Sequence, residues 1–171
     1  MLTVLDQKDF QKIFTIMQNS FPIDEYRPLE EQKALLNRED YLLYVYKNSA
    51  DIQAFFAVWD LGYFAFIEHF AVKEEYRSAG IGTKLLQNLL IQLAKPVILE
   101  VELPETLLAK KRIAFYEKNG FLVNNYAYMQ PAIAKGRKEI PLILMSYPGA
   151  LNTVEYIAVK NSLYAQVYGK V

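Results

Sequence analysis

The sequence predicts a mixed α/β (α+β) fold, with a mainly antiparallel central sheet of about seven strands and helices on both faces. Three observations predict it. Three strand-like runs follow one another between residues 41 and 72 with only short turns between them. The second half alternates helix and strand signals. Its first helix carries a single apolar stripe of the kind that packs on a sheet.

Taken in order, Thr3 to Leu5 reads as a short strand. Asp6 or Asp9 then caps a helix with Phe10, Ile13, Phe14 and Met17 at helical spacing, which Pro22 ends. Pro28 opens a second helical stretch, Leu29 to Asn37, with acidic residues in the first turn where they favour the helix dipole. Tyr41 to Tyr46, Ile52 to Trp59 and Tyr63 to Val72 are rich in aromatic and β-branched residues. Lys47-Asn48-Ser49 and Asp60-Leu61-Gly62 separate them as hairpin turns, so an antiparallel meander is expected. A helix from Gly82 to Leu93 follows, its stripe formed by Ile81, Leu85, Leu86, Leu89, Leu90 and Leu93. Then come a strand at Val97 to Val101, a helix at Arg112 to Asn119 stopped by Gly120, and strands at Phe121 to Met129 and Ile140 to Ser146. With no repeat, low-complexity tract or Gly/Ser-rich linker, residues 1–171 read as one domain. The Tyr-rich extension at 149–171 can form a helix, an added edge strand or part of a homodimer contact.

Composition removes several function classes. Acidic and basic side chains balance at 19 each, so no bulk field draws the chain onto nucleic acid or an anionic membrane. Cysteine is absent, which removes thiol nucleophiles and cysteine metal sites; His69 is the one histidine, which argues against a Ser-His-Asp triad and a multi-histidine zinc site. No metal is therefore expected, and carboxylates, tyrosines and backbone groups are the remaining tools. Met1 to Asp6 lacks the basic segment and apolar run of a signal peptide, so a cytoplasmic location is expected.

The informative segment runs from Glu68 through Phe70-Ala71-Val72 to Arg77-Ser78-Ala79-Gly80-Ile81-Gly82-Thr83, out of a strand, through a tight loop and into the amphipathic helix. Gly80 and Gly82 remove side chains where the N–H groups of a helix start converge, and this nest with the helix dipole makes a pyrophosphate site; Arg77 adds a fork-shaped cation. A dinucleotide fingerprint would need a small residue at Leu85, and a Walker A loop would need Gly-Lys-Ser/Thr where this chain has Gly82-Thr83-Lys84.

Val72 through Gly82 resembles the acetyl-CoA motif of the GNAT superfamily of N-acetyltransferases, Arg-x-x-Gly-x-Gly after a strand ending in an apolar pair. Ala114-Phe115-Tyr116-Glu117-Lys118-Asn119-Gly120-Phe121 resembles the family's later helix-to-strand signature. The resemblance implies a GNAT-like acyl-CoA N-acyltransferase fold and acetyl-CoA as cosubstrate. The backbone of Arg77, Ser78, Ala79, Gly80, Ile81, Gly82 and Thr83 would hold the pyrophosphate. The Phe70-Ala71-Val72 strand edge would hydrogen-bond the pantetheine arm through Phe70 and Val72, in the gap where two parallel strands splay. It also implies a role for Tyr116 at the cofactor sulfur. The chain departs from the pattern at Ala109, where many relatives carry asparagine, and the segment Leu103 to Leu108 leaves its path open.

An acceptor amine must be neutral to attack, yet roughly one lysine-like amine in a thousand is neutral at pH 7. Glu68 matches the glutamate proposed as base in polyamine-acetylating relatives; it reads equally as a group that binds a cation or pairs with an arginine. Strand alternation would turn His69 to the opposite face, leaving it a reserve base. Two charge clusters point to different acceptors. Asp24, Glu25, Glu30 and Glu31 suit a cationic amine, although charges at helix starts usually serve solvated surface; Lys135, Arg137 and Lys138 suit an acidic one, although they read more readily as a solvated loop. The competing reading is a non-catalytic acyl-CoA-binding or regulatory module.

Overall fold

The computed structural model describes residues 1–170. Among them, seven strands form one sheet: β1 (Thr3–Val4), β2 (Tyr41–Asn48), β3 (Asp51–Asp60), β4 (Ala65–Val72), β5 (Val97–Glu102), β6 (Leu122–Gln130) and β7 (Ile140–Tyr147). Their order is β1-β2-β3-β4-β5-β7-β6, antiparallel at every step except β4 to β5, so the expected mixed sheet is the one observed. The exception follows from the connection. β4 reaches β5 through a helix, α3 (Ile81–Leu93), and such a crossover returns the chain parallel.

Each face of the sheet buries its own core. On one, Ile13, Phe14 and Met17 of α1 (Phe10–Ser20) meet Phe55, Ala57 and Trp59 of β3. On the other, Leu85, Leu86, Leu89 and Leu90 of α3 and Ile113 and Tyr116 of α4 (Leu107–Lys118) meet Phe56, Val58, Val97 and Leu99. Each such side chain removed from water contributes about 1.5–3 kcal/mol, and together they pin β4 and β5 between two helical layers. α2 (Leu29–Ala34) is shorter than expected, its last residues forming a 3-10 turn at Leu35–Asn37.

Two elements differ from the sequence reading in ways that bear on the site. α4 begins at Leu107, five residues before the expected Arg112, because the Thr106 hydroxyl accepts from the Ala109 N–H at 3.0 Å and caps the first turn. That gives the Leu103–Leu108 segment a definite path. The tail is helical: α5 (Thr153–Ser162) starts at a reciprocal capping box between Asn152 and Glu155 and runs into a π-helical turn at Leu163–Val167. It adds no strand. Tyr156, Val159, Leu163, Val167 and Tyr168 are buried, and Tyr156 stacks on Tyr126 of β6 at 4.2 Å.

Candidate functional site

β4 and β5 pair only at Ala65–Val97, Phe66–Ile98 and Ile67–Leu99, and beyond that rung they separate. β4 carries a β-bulge at the split: Ile67 faces Val58 and His69 faces Ala57, with Glu68 the extra residue between them. The bulge shifts the alternation by one. Glu68 and His69 therefore both turn to the α1 side, with Glu68 Oε2 and His69 Nδ1 3.6 Å apart, and the expectation that they face opposite ways is corrected.

On the α3 side the split opens into a groove of about 600 Å³ between β4, the Arg77–Gly80 loop and α4. Phe70, Ala71, Val72, Arg77, Ser78, Gly80, Ile81, Gly82 and Thr83 line it, while Ala79 does not. Because the Lys73 N–H donates to the Gln53 carbonyl of β3, hydrogen-bonding residues alternate so that Phe70 and Val72 direct their backbone groups away from β3, toward the groove. Arg77 Nε donates to the Val72 carbonyl at 2.8 Å, tying the loop to the strand edge. Gly80 sits at the α3 N-cap with φ 72°, a left-handed conformation that favours glycine, and no side chain caps the helix. The first-turn N–H groups are thus left open to an anion, with no capping side chain in competition. A Cβ on Gly82 would make only ordinary contacts, 3.6 Å to the Phe115 ring, so the fold itself does not demand glycine there. Lys111 and Arg112 of α4 add two cations to the wall that the sequence reading did not assign to the site. The groove thus fits an elongated, anionic group such as acetyl-CoA.

On the α1 side lies a smaller cavity of about 50 Å³, and Phe70, Arg112 and Tyr116 line both spaces. Four carboxylates face this inner cavity: Glu25, Glu68, Glu100 and Glu102. Glu68 forms a buried ion pair with Arg27, Nη1 to Oε1 at 2.9 Å, the side chains 2% and 7% exposed. Its Oε2 and His69 Nδ1 are buried without hydrogen-bond partners among the described residues. His69 Nε2 lies 2.7 Å from the Glu25 carbonyl, which only accepts, so Nε2 carries the proton. Burial holds the His69 pKa below its usual value, against the pull of the Glu68 charge, so the ring is neutral and Nδ1 is a bare acceptor. Glu68 Oε2 and His69 Nδ1 are then two buried acceptors 3.6 Å apart, and of the two residues only Glu68 lines the cavity.

Glu100 stands on β5 one residue past the last rung, as Glu68 does on β4. It accepts from Tyr128 at 2.5 Å and from Tyr168 at 2.8 and 2.7 Å. Burial pushes its carboxyl up to about 7, the tyrosine hydrogen bonds pulling the other way. Burial also pushes Glu25 up to about 7, with the Glu102 charge adding to it. Glu102 pairs with Arg112 at 3.4 Å, so Glu25 and Glu100 are the two carboxylates without a cationic partner. The Tyr116 hydroxyl has no hydrogen-bond partner among the described residues, and burial pushes it up to about 12.

The remaining charge clusters resolve differently from their sequence readings. Asp24 accepts the Lys138 backbone N–H at 3.0 Å and Arg137 Nε donates to the Tyr26 carbonyl at 3.3 Å, so the two segments are tied together through backbone groups. Glu30 and Glu31 are exposed on the first turn of α2, and only Glu25 of that cluster enters the cavity. Ala109 is buried, its N–H bonded to Thr106. Glu100, Arg27, Tyr128 and Tyr168 were not singled out from the sequence; the one available signal was a glutamate on the β5 strand beside the expected splay.

The profile of the Acetyltransferase (GNAT) domain matches residues 39–123. A putative acetyltransferase from the GNAT family of Bacteroides thetaiotaomicron is similar at 30% identity and TM-score 0.89, covering 100% of this chain and 99% of its own. The ribosomal-protein-S18-alanine N-acetyltransferase of Escherichia coli superposes at TM-score 0.65 with 24% identity, over 89% of this chain and 95% of its own. A spermidine N-acetyltransferase chimera from Vibrio cholerae does so at 0.63 and 15%, over 85% and 94%. These last two likenesses speak to the fold alone. The search of curated proteins found no match.

Proposed function

Since this chain belongs to the GNAT family of acetyltransferases, we propose that it moves the acetyl group of acetyl-CoA directly onto the primary amine of a cationic acceptor. The observation that carries the reading is the split between β4 and β5, where a groove suited to an anionic cofactor and a carboxylate-lined cavity share Tyr116 in their walls. Arg77 through Thr83 would hold the pyrophosphate, Phe70 and Val72 the pantetheine arm. Acetyl-CoA supplies a thioester whose carbonyl carbon is open to an amine and whose thiol can leave, so no enzyme nucleophile is needed.

The acceptor side does two jobs. Four carboxylates face two guanidiniums, those of Arg27 and Arg112, which leaves an excess of two negative charges when all are ionised. That excess favours an ammonium over an anionic amine. Glu68 and Glu100 in the cavity wall attract the ammonium, and a carboxylate takes the proton that must leave before attack. Glu68 is the base the family resemblance implies; Glu100, with a proton affinity close to neutral, is the better match to that task. Tyr116 donates a hydrogen bond toward the departing sulfur. With its phenol pushed up to about 12 and a thiol near 8.5, full proton transfer from it is uphill, so hydrogen bonding is its contribution.

We read residues 1–171 as one catalytic domain in the cytoplasm, with α5 and its turn completing the acceptor side. The test is a free-thiol release assay with acetyl-CoA across monoamines, diamines and amino acids of matched length. Release is expected with cationic amines, at least about tenfold faster than with amino acids carrying a carboxylate, a difference of ~1.4 kcal/mol. A preference for the anionic amines would overturn the acceptor assignment. Binding of acetyl-CoA with no release on any amine would favour the regulatory module.

A further inference from the structure

The turn at Leu163–Val167 lies outside the residues matched by the GNAT profile, yet it touches the groups that hold both candidate bases. It closes as a π-helical turn, the Tyr168 N–H donating to the Leu163 carbonyl at 3.1 Å. A π turn takes one more residue than an α turn, and such turns gather at functional sites. Here it brings two polar groups inward together. The Val167 carbonyl accepts from Arg27 Nη2 at 3.0 Å, and the Tyr168 hydroxyl reaches both Glu100 oxygens. Arg27 in turn holds Glu68 through its other terminal nitrogen. Val167 and Tyr168 are buried, so these bonds form away from competing water.

We propose that this turn is the positioning element of the acceptor site: Tyr168 fixes the Glu100 carboxylate, and the Val167 carbonyl fixes Arg27 against Glu68. Tyr168 is a positioning residue, acting through Glu100. The physics is directional. Burial and the Glu100 charge push the Tyr168 and Tyr128 hydroxyls above their usual range, so both stay protonated and both donate to Glu100 when it is ionised. Donation favours the ionised form. Against it stand burial and the charges of Glu68 on β4 and Glu25 in the turn after α1. The other charged or titratable groups around this cavity are Arg27, His69 and Tyr41 beside Glu68, Glu102 with Arg112, Tyr116 in the cavity wall, and Tyr164 near Tyr128. Without the Tyr168 hydroxyl, Glu100 holds its proton to higher pH.

The catalytic consequence rests on the acetyl-transfer reading, but the positioning is measurable on the protein alone. In protein labelled with carboxyl-¹³C glutamate, the Glu100 resonance is the one lost in Glu100→Gln, and its titration is followed by NMR. Tyr168→Phe is expected to raise the Glu100 midpoint by about half to one unit, a ~3- to 10-fold change in its proton binding. The acid limb of the rate profile should move by the same amount with a cationic amine. Tyr156→Phe is the control: it removes a comparable bond, hydroxyl to the Ala127 carbonyl at 2.8 Å, from the same tail but outside the cavity, and should leave the midpoint where it is. An unchanged midpoint in Tyr168→Phe, or an equal shift in Tyr156→Phe, would overturn the proposal. A shifted midpoint with no turnover on any amine would support the positioning and remove the acetyl-transfer reading alone.

Discussion

The two sides of the β4–β5 split are built in opposite ways. The proposed cofactor side is assembled from one continuous β-α-β-α stretch, and the groups it offers are backbone: a strand edge, a helix start and the turn between them. The proposed acceptor side gathers groups from the turn after α1, β4, β5, β6 and the tail, with Arg27 and Val167 separated by 140 positions. A backbone site needs only a conformation, which a short motif encodes. A side-chain site needs a completed fold, which brings carboxylates together at the cost of leaving two of them without cations.

Substitutions on the two sides should therefore fail in different observables. The largest expected effect is on the acceptor side, where Glu100→Gln should lower turnover on a cationic amine by about 100-fold or more while acetyl-CoA affinity stays within a factor of about two. Equal loss in both would mean the two sides are not separate. Gly82→Trp is the converse. It should weaken acetyl-CoA binding at least about tenfold, ~1.4 kcal/mol, with melting of the free protein little changed, because that position faces the groove and ordinary contacts only. Undiminished affinity would remove the glycine loop from the cofactor site. Tyr116→Phe tests the junction. As a hydrogen-bond donor to sulfur it is worth roughly 1.5 kcal/mol, about tenfold in turnover, with the Michaelis constant for acetyl-CoA nearly unchanged; a change under twofold would leave Tyr116 as packing.

The last effect concerns stability. Glu25 and Glu100 have folded-state values raised to about 7, above the ordinary glutamate range near 4.3, so the native state binds more protons than the unfolded chain between those values. Their contribution is full below about pH 4.3 and is lost as pH rises through about 7. Glu100→Gln should flatten that decline, by roughly 1–3 kcal/mol of pH-dependent stability. Denaturant melts at pH 5 and pH 8 would read it, and identical slopes in wild type and variant would argue against the raised value.

The same contrast explains what the sequence made legible. The meander, the α3 stripe and the glycine loop are local patterns, and the structure places Arg77, Ser78 and Gly80 through Thr83 around one groove with Phe70 and Val72 beside them. Glu68 was legible as a polar residue at the end of a cradle strand, but its neighbour was misread. A bulge at Glu68 breaks the alternation on which His69 was assigned, and a single extra residue leaves little trace in composition. α4 was begun too late because Thr106, a good cap, sits before a run whose apolar periodicity is weak. Glu25 resembled any acidic residue at a helix start, and only the fold separates it from exposed Glu30 and Glu31. Tyr168 had no signal at all, since its partner Glu100 lies 68 positions away.

Calorimetric titration with acetyl-CoA of the wild type, Gly82→Trp and Glu100→Gln tests the division between the two sides most directly. The account predicts micromolar binding to the wild type, nearly the same binding to Glu100→Gln, and a loss of at least about tenfold in Gly82→Trp. No binding to the wild type, or weakening by Glu100→Gln as large as that by Gly82→Trp, would contradict it.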